Sequence, residues 1–328
     1  MKHRLNIIIA TLVSLVLHTS CSRDNEDVVP RIDQSTAISF TVGVGILPDP
    51  EVTTRGALTD ASAGSGYYFN DGDRVRIAVK GSAPRSTSWE YKTYKVDTGD
   101  GGSAKANPNF TSLTLDTSIS SLPFNWYSTT ETGVKFRAWS YGNSTDPSDD
   151  PLSTDFALVT NQSGGYKELL YMDEVTKSYT ASAIQMSMNH ELARVVVNLS
   201  LDASQTVTSV TIGDGTMVIP TTARFDPNET LHWKSHVSAT SQITPFEHTA
   251  GSKYSAVLLP YTYAAGGKLF NIVIGSVSYN YIIPAGGFTF NPAKQYTFNI
   301  TIKNNLVFCN SVTVEAWDTS AAAIPVVL

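Results

Sequence analysis

The stretch Ile38-Ser39-Phe40-Thr41-Val42-Gly43-Val44-Gly45-Ile46 decides the fold. Apolar residues at 38, 40, 42, 44 and 46 alternate with small or polar ones. That two-residue period puts Ile38, Phe40, Val42, Val44 and Ile46 on one buried face of a strand. Pro48 and Pro50 end it, because proline cannot donate to a ladder. The following run, Glu51 to Asp60, is rich in turn formers and reads as an exposed segment. Outward from here the theme repeats as short strands with glycine punctuation. Asp73–Lys80, Val134–Tyr141, Leu192–Leu201, Tyr254–Leu259, Leu269–Ile274, Ser278–Ile283 and Gln295–Ile302 all read as strands. Lys167–Val175 is the one segment a helix could claim, and it is short and has no good cap. Strands at this spacing without helices indicate antiparallel β-sandwiches, with a boundary near Ser187 dividing the chain into comparable halves.

Composition agrees. Of the 328 residues, 41% are apolar, too many for a disordered chain, and only 16% are charged, against roughly 25% in an average soluble protein. The 15 Tyr, 13 Phe and 15 Pro suit strands and turns. A formal charge of -6 supplies no basic footprint for phosphates, which argues against nucleic acid as a partner. Two cysteines, Cys21 and Cys309, make no disulfide framework.

Residues 1–20 read as an export signal: basic Lys2, His3 and Arg4, then the apolar run from Ile7 to Leu17, too short to span a ~30 Å hydrocarbon core. Leu17-His18-Thr19-Ser20-Cys21 resembles a bacterial lipoprotein signal, in which the cysteine is diacylated and becomes the first mature residue. The usual pattern has Leu at the place held here by His18; ordinary cleavage near Ser20 is the other reading. Residues 21–35, which open Cys21-Ser22-Arg23-Asp24-Asn25-Glu26-Asp27, then form a polar tether resembling the acidic stretch of surface lipoproteins in Bacteroides-like bacteria. With Cys21 lipidated, Cys309 reads as a buried core thiol.

No catalytic constellation is found. The chain lacks a P-loop, Gly-x-Ser-x-Gly, His-Glu-x-x-His and Cys-x-x-Cys. His232 and His236 have a spacing that serves one metal ion only on a helix, and their flanking residues favour extended chain, where they stand ~13 Å apart. Asn70-Asp71-Gly72-Asp73 and the Asp146–Asp150 run lack a calcium loop's full ligand set and read as solvated turns. His190 shows no nucleophile or orienting partner in sequence and reads as a histidine entering the first strand of a second domain. Trp89, Trp126 and Trp139 could line a carbohydrate platform, but core packing is the plainer reading. No enzyme, metal or cofactor is expected.

Several fragments in order resemble the fimbrillin family of Bacteroidetes, the major-fimbria-type lipoprotein pilins. They are Ile38-Ser39-Phe40, Thr54-Arg55-Gly56 (Thr-Arg-Ala in the family), Gly72-Asp73-Arg74-Val75, Phe136-Arg137-Ala138-Trp139, Glu168-Leu169-Leu170-Tyr171 and His190-Glu191-Leu192-Ala193-Arg194-Val195. Leu259-Pro260, Phe290 to Phe298 and Val312 to Trp317 complete the series. The resemblance implies two tandem transthyretin-like β-sandwich domains, 36–187 and 188–328, in an outer-membrane lipoprotein that becomes a pilus subunit and contributes to adhesion. It also implies its partners: other fimbrillin subunits, an Arg-specific protease cutting between Arg55 and Gly56, and the outer membrane through lipid on Cys21. After the cut the strand Ile38–Ile46 leaves, and a neighbour's strand fills the groove. Withdrawing five buried apolar side chains would cost about 7–15 kcal/mol, as much as a whole domain's stability, so a replacement strand is required. The candidate donor is the C-terminal segment, where Ile324, Val326 and Leu328 alternate; Pro325 suits instead a short strand finishing the second sandwich at an edge. The alternative of another class is a non-polymerising surface glycan-binding lipoprotein of a polysaccharide-uptake system.

Overall fold

Alternating segments become pleated sheet throughout. The computed structural model describes residues 37–44, 69, 71–97, 111–141, 147–202, 205–317 and 324–326, and every regular element among them is a strand. No helix among these residues is long and apolar enough to cross a membrane. Cys21, Ile46, Arg55, Gly56 and Leu328 lie outside the described residues, as do the export signal and tether.

Seven strands of the first half close into a barrel. Their order around it is β1 (Phe40–Val44), β4 (Thr111–Leu115), β3 (Glu90–Asp97), β2 (Arg74–Lys80), β5 (Val134–Ser140), β7 (Leu170–Lys177) and β8 (Ile184–His190). All neighbours are antiparallel except the closing pair, β1 on β8, which is parallel. Lys167–Val175, the one helix-compatible stretch, mostly enters strand β7. Residue 187 falls inside β8, and the chain passes to β9 (Ala193–Leu201) through Glu191 and Leu192.

The second half carries a six-stranded sheet in the order β13 (Phe246–Thr249), β14 (Lys253–Leu258), β9, β19 (Lys294–Lys303), β20 (Leu306–Ala316), β21 (Ile324–Val326). The remaining sheets are β10 (Val207–Ile212), β16 (Lys268–Ile274), β17 (Val277–Ile282); β12 (Trp233–Thr240), β11 (Val218–Phe225), β6 (Asp155–Ala157); and the ribbon β15 (Tyr261–Tyr263), β18 (Phe288–Phe290). Asn304 and Asn305, at φ 51° and 61°, make the β19–β20 hairpin turn; asparagine tolerates this left-handed region better than most residues.

The architecture is all-β, with several sheets and one of them closed. Two hydrophobic clusters fill it. One lies within the barrel and includes Ile38, Phe40, Val42, Ile77, Phe136 and Met186. The other centres on β9, β16 and β19, and also takes Trp139, Phe156 and Tyr171 from the first half.

Candidate strand-exchange site

The alternation at the start of the chain is realised on β1. Ile38, Phe40 and Val42 are 4%, 2% and 1% exposed, inside the barrel. Ser39 and Thr41 take the opposite face. Val44 is the last residue of β1, in register with Met188.

The backbone of β1 is held on both sides. Phe40, Thr41 and Val42 lie opposite Leu113, Ser112 and Thr111 of β4, and Phe40 through Val44 run beside Ile184 through Met188 of β8. Just before the strand, Ile38 N donates to Phe124 O at 2.8 Å, and Ile184 N donates to Ser39 O at 2.9 Å. The deepest part of the site receives the Phe40 ring, with centroids 5.1 Å from Tyr94, 6.1 Å from Phe136 and 6.5 Å from Phe124, all edge-on. Tyr94 is fixed in turn: its hydroxyl accepts from Phe124 N at 3.1 Å, and burial pushes its pKa up. Burying these three apolar side chains contributes about 5–9 kcal/mol at ~1.5–3 kcal/mol each. Among the described residues β1 is the first strand.

Around this slot the barrel is braced by ion pairs. Arg74 of the Gly72-Asp73-Arg74 turn donates to Asp116 Oδ2 at 2.8 Å, and Lys95 stands 3.3 Å from Oδ1. Burial alone would raise the Asp116 pKa, but hydrogen bonds from Ser118, Arg74 and Lys95 outweigh it and hold the carboxyl at about 2. Arg85 clamps Glu131 at 2.8 Å, both nearly inaccessible.

The C-terminal segment sits elsewhere. β21 extends the six-stranded sheet from β20, with Ile324, Pro325 and Val326 opposite Val314, Thr313 and Val312. It pairs there at three positions on a sheet edge, and an edge is where proline is tolerated.

Other candidates resolve into packing. His190 is fully buried, paired through Nδ1 with Glu168 and stacked on Trp317 at 4.1 Å and 8°. It therefore has a carboxylate partner that sequence reading missed, and it ends β8 rather than opening β9. His232 Nδ1 is 2.7 Å from Glu191 Oε2, and His236 Nε2 is 3.2 Å from Pro260 O, so the two imidazoles serve different partners. The segment is not the fully extended chain expected, since His232 and Ser235 take left-handed backbone at φ 61° and 53°. Among the described residues no three His, Cys, Asp or Glu side chains converge as a metal site. Asp150 pairs with Arg137. Trp126 and Trp139 lie in the cores, while half-buried Trp89 stands between Lys80 at 4.3 Å and Arg137 at 4.4 Å. These rings form no sugar platform. Cys309, expected to be fully buried, is only half-buried, because β20 lies near the sheet edge; its sulfur reaches Ser311 O at 3.6 Å and burial raises the thiol pKa.

Comparison with known proteins follows the same lines. No curated protein matches the chain in sequence. Among solved structures, a candidate cell-adhesion protein from Bacteroides uniformis superposes with a TM-score of 0.58 at 14% identity, covering 87% of this chain and 99% of the other. A second candidate cell-adhesion protein, from Bacteroides ovatus, gives 0.56 at 12% identity, covering 86% and 97%. At such identities the likeness establishes a shared fold. A fimbrillin-like family profile matches residues 54–317, most of the length, and on that ground the chain belongs to the fimbrillin-like family.

Proposed function

We propose that the chain is a structural, non-catalytic subunit of a surface fimbria that contributes to adhesion. It is exported as a lipoprotein through Cys21 and made competent for assembly by a cut between Arg55 and Gly56. The observation that carries this reading is the placement of β1. Its alternating face is sealed in the barrel, while Arg55 lies in the sequence between β1 and Phe69, the next described residue. A cut there leaves β1 attached to the barrel by non-covalent contacts alone. Its departure would expose two sheet edges, β4 and β8, flanking an apolar slot, and unpaired edges recruit strands. A strand from another subunit then closes the barrel. Family membership supports the fimbrial assignment, and the two hydrophobic clusters are compatible with the tandem transthyretin-like organisation that the resemblance implies. The edge segment at Ile324–Val326, with Leu328 beyond it, is the candidate donor toward a neighbouring subunit.

Limited trypsin digestion of the purified precursor tests the reading. The expected result is cleavage at Arg55 followed by a ladder of SDS-resistant oligomers. A nicked product that stays monomeric at high concentration removes strand exchange as the assembly mechanism.

A further inference from the structure

The slot beneath β1 has a chemical preference that bears on which strand can refill it. This inference rests on the exchange reading above and names the kind of partner. The central position of the slot is a ring pocket: Phe40 is 2% exposed, and Tyr94, Phe124 and Phe136 meet it edge-on within 6.5 Å. An aliphatic side chain there forfeits these aromatic contacts and leaves part of the pocket empty, and protein interiors do not collapse fully around such a void. The flanking positions, Ile38 and Val42, accept aliphatic groups.

The backbone adds a second requirement. Over Phe40–Val42 the strand has a ladder on each side, β4 antiparallel and β8 parallel. A strand paired on both sides uses its N–H groups in both directions, so a proline at its centre deletes a ladder bond that an edge strand would not miss.

The chain's own C-terminal segment fails both requirements. Ile324-Pro325-Val326-Val327-Leu328 offers only aliphatic groups at alternating positions, with Pro325 between the first two. It suits the place it occupies, the outer side of β20, where one ladder suffices. We infer that the slot is refilled by a strand with an aromatic residue at the register of Phe40, aliphatic residues two positions to either side and no proline between them, a pattern that Ile324–Val326 lacks. Phe40's pocket is thus the specificity determinant, and the Ile324–Leu328 segment is not the strand that refills it.

The test uses the intact chain carrying Phe40→Leu, whose own β1 is loosened at the pocket without any proteolysis. A Phe40→Ala chain gives a second, more strongly loosened background, and circular dichroism establishes which of the two is folded. Three dye-labelled synthetic peptides are titrated by fluorescence anisotropy: the sequence Thr36–Ile46, the same peptide with Phe40→Leu, and the sequence Asp318–Leu328. The expected result is that the first binds at least about tenfold more tightly than either of the others. Equal binding by the leucine peptide removes the ring pocket as the determinant. Equal binding by the Asp318–Leu328 peptide returns that segment as the strand that refills the slot, and no binding by the first peptide shows that the slot does not exchange; each outcome overturns the inference. No protease takes part, so the specificity can hold while Arg55 resists trypsin, and can fail while Arg55 is cut.

Discussion

Neighbouring residues on β1 make opposite demands, because a strand turns successive side chains to opposite faces. Phe40 fills the ring pocket, so Phe40→Ala should cost about 3–5 kcal/mol, read as a fall in the urea midpoint with an unchanged slope. Thr41 lies on the other face, and its hydroxyl is buried without a hydrogen-bond partner. Thr41→Val should therefore be neutral or stabilising, since no bond is lost and a desolvated oxygen is removed. A single residue also sets a pH response. The hydrogen bond that His232 Nδ1 donates to the Glu191 carboxylate raises the His232 pKa, against the opposing effect of burial, and the charges of Glu191 and Asp173 add to the rise. The folded state thus holds the proton more tightly than the unfolded one. The stabilisation is complete below the unfolded value of ~6.5 and is lost as pH rises through the raised folded value. His232 is 40% exposed at its side chain, so solvent screening keeps the effect small. Denaturation midpoints taken from pH 5.5 to 8.5 should fall more for the native chain than for His232→Gln; parallel curves would contradict the coupling.

At the scale of elements, β1 is paired on both sides and β21 on one. β21 adds three paired positions to one edge, so ending the chain after Trp317 should lower stability by less than about 2 kcal/mol, measured by denaturant unfolding. Loss of β1 should cost several times more, because it removes two ladders and three buried side chains. Much of this was legible in the sequence. The alternation at Ile38–Val42 announced β1 and its inward face, and Tyr296, Phe298, Ile300 and Ile302 announced β19, all at most 2% exposed. Legibility ended where pairing is non-local. Nothing in the local pattern says that β1 runs parallel to β8 and so closes a barrel, since register is set by partners far along the chain. β20 hid for another reason: a bulge opposite Asn299 and Ile300 shifts its alternation midway. The Glu168–His190–Trp317 cluster was invisible for the first reason, with its three residues coming from three separate segments.

Over the whole molecule, the barrel wall is shared. β5 sends Val134, Phe136 and Ala138 into the barrel core, while Trp139 points into the second core. β7 does likewise, with Tyr171 4.7 Å from Phe225 of β11, and β6 pairs directly with β11. Strands buried on both faces lose the clean apolar–polar alternation, which is why Val-Lys-Phe-Arg-Ala-Trp-Ser reads less regularly than β1. A common wall also couples the stability of the two cores. Weakening the barrel core should therefore be felt in the other core, whose floor is the barrel's outer surface. Trp139 is the residue through which to measure this: it is fully buried, with its indole N–H donating to Pro147 O at 2.9 Å. Trp139→Ala should cost about 3–5 kcal/mol. In a calorimetric scan the native chain should unfold in one transition, and the variant in one transition at lower temperature. Two transitions in the native chain, with the substitution moving only one, would mean that the cores are independent.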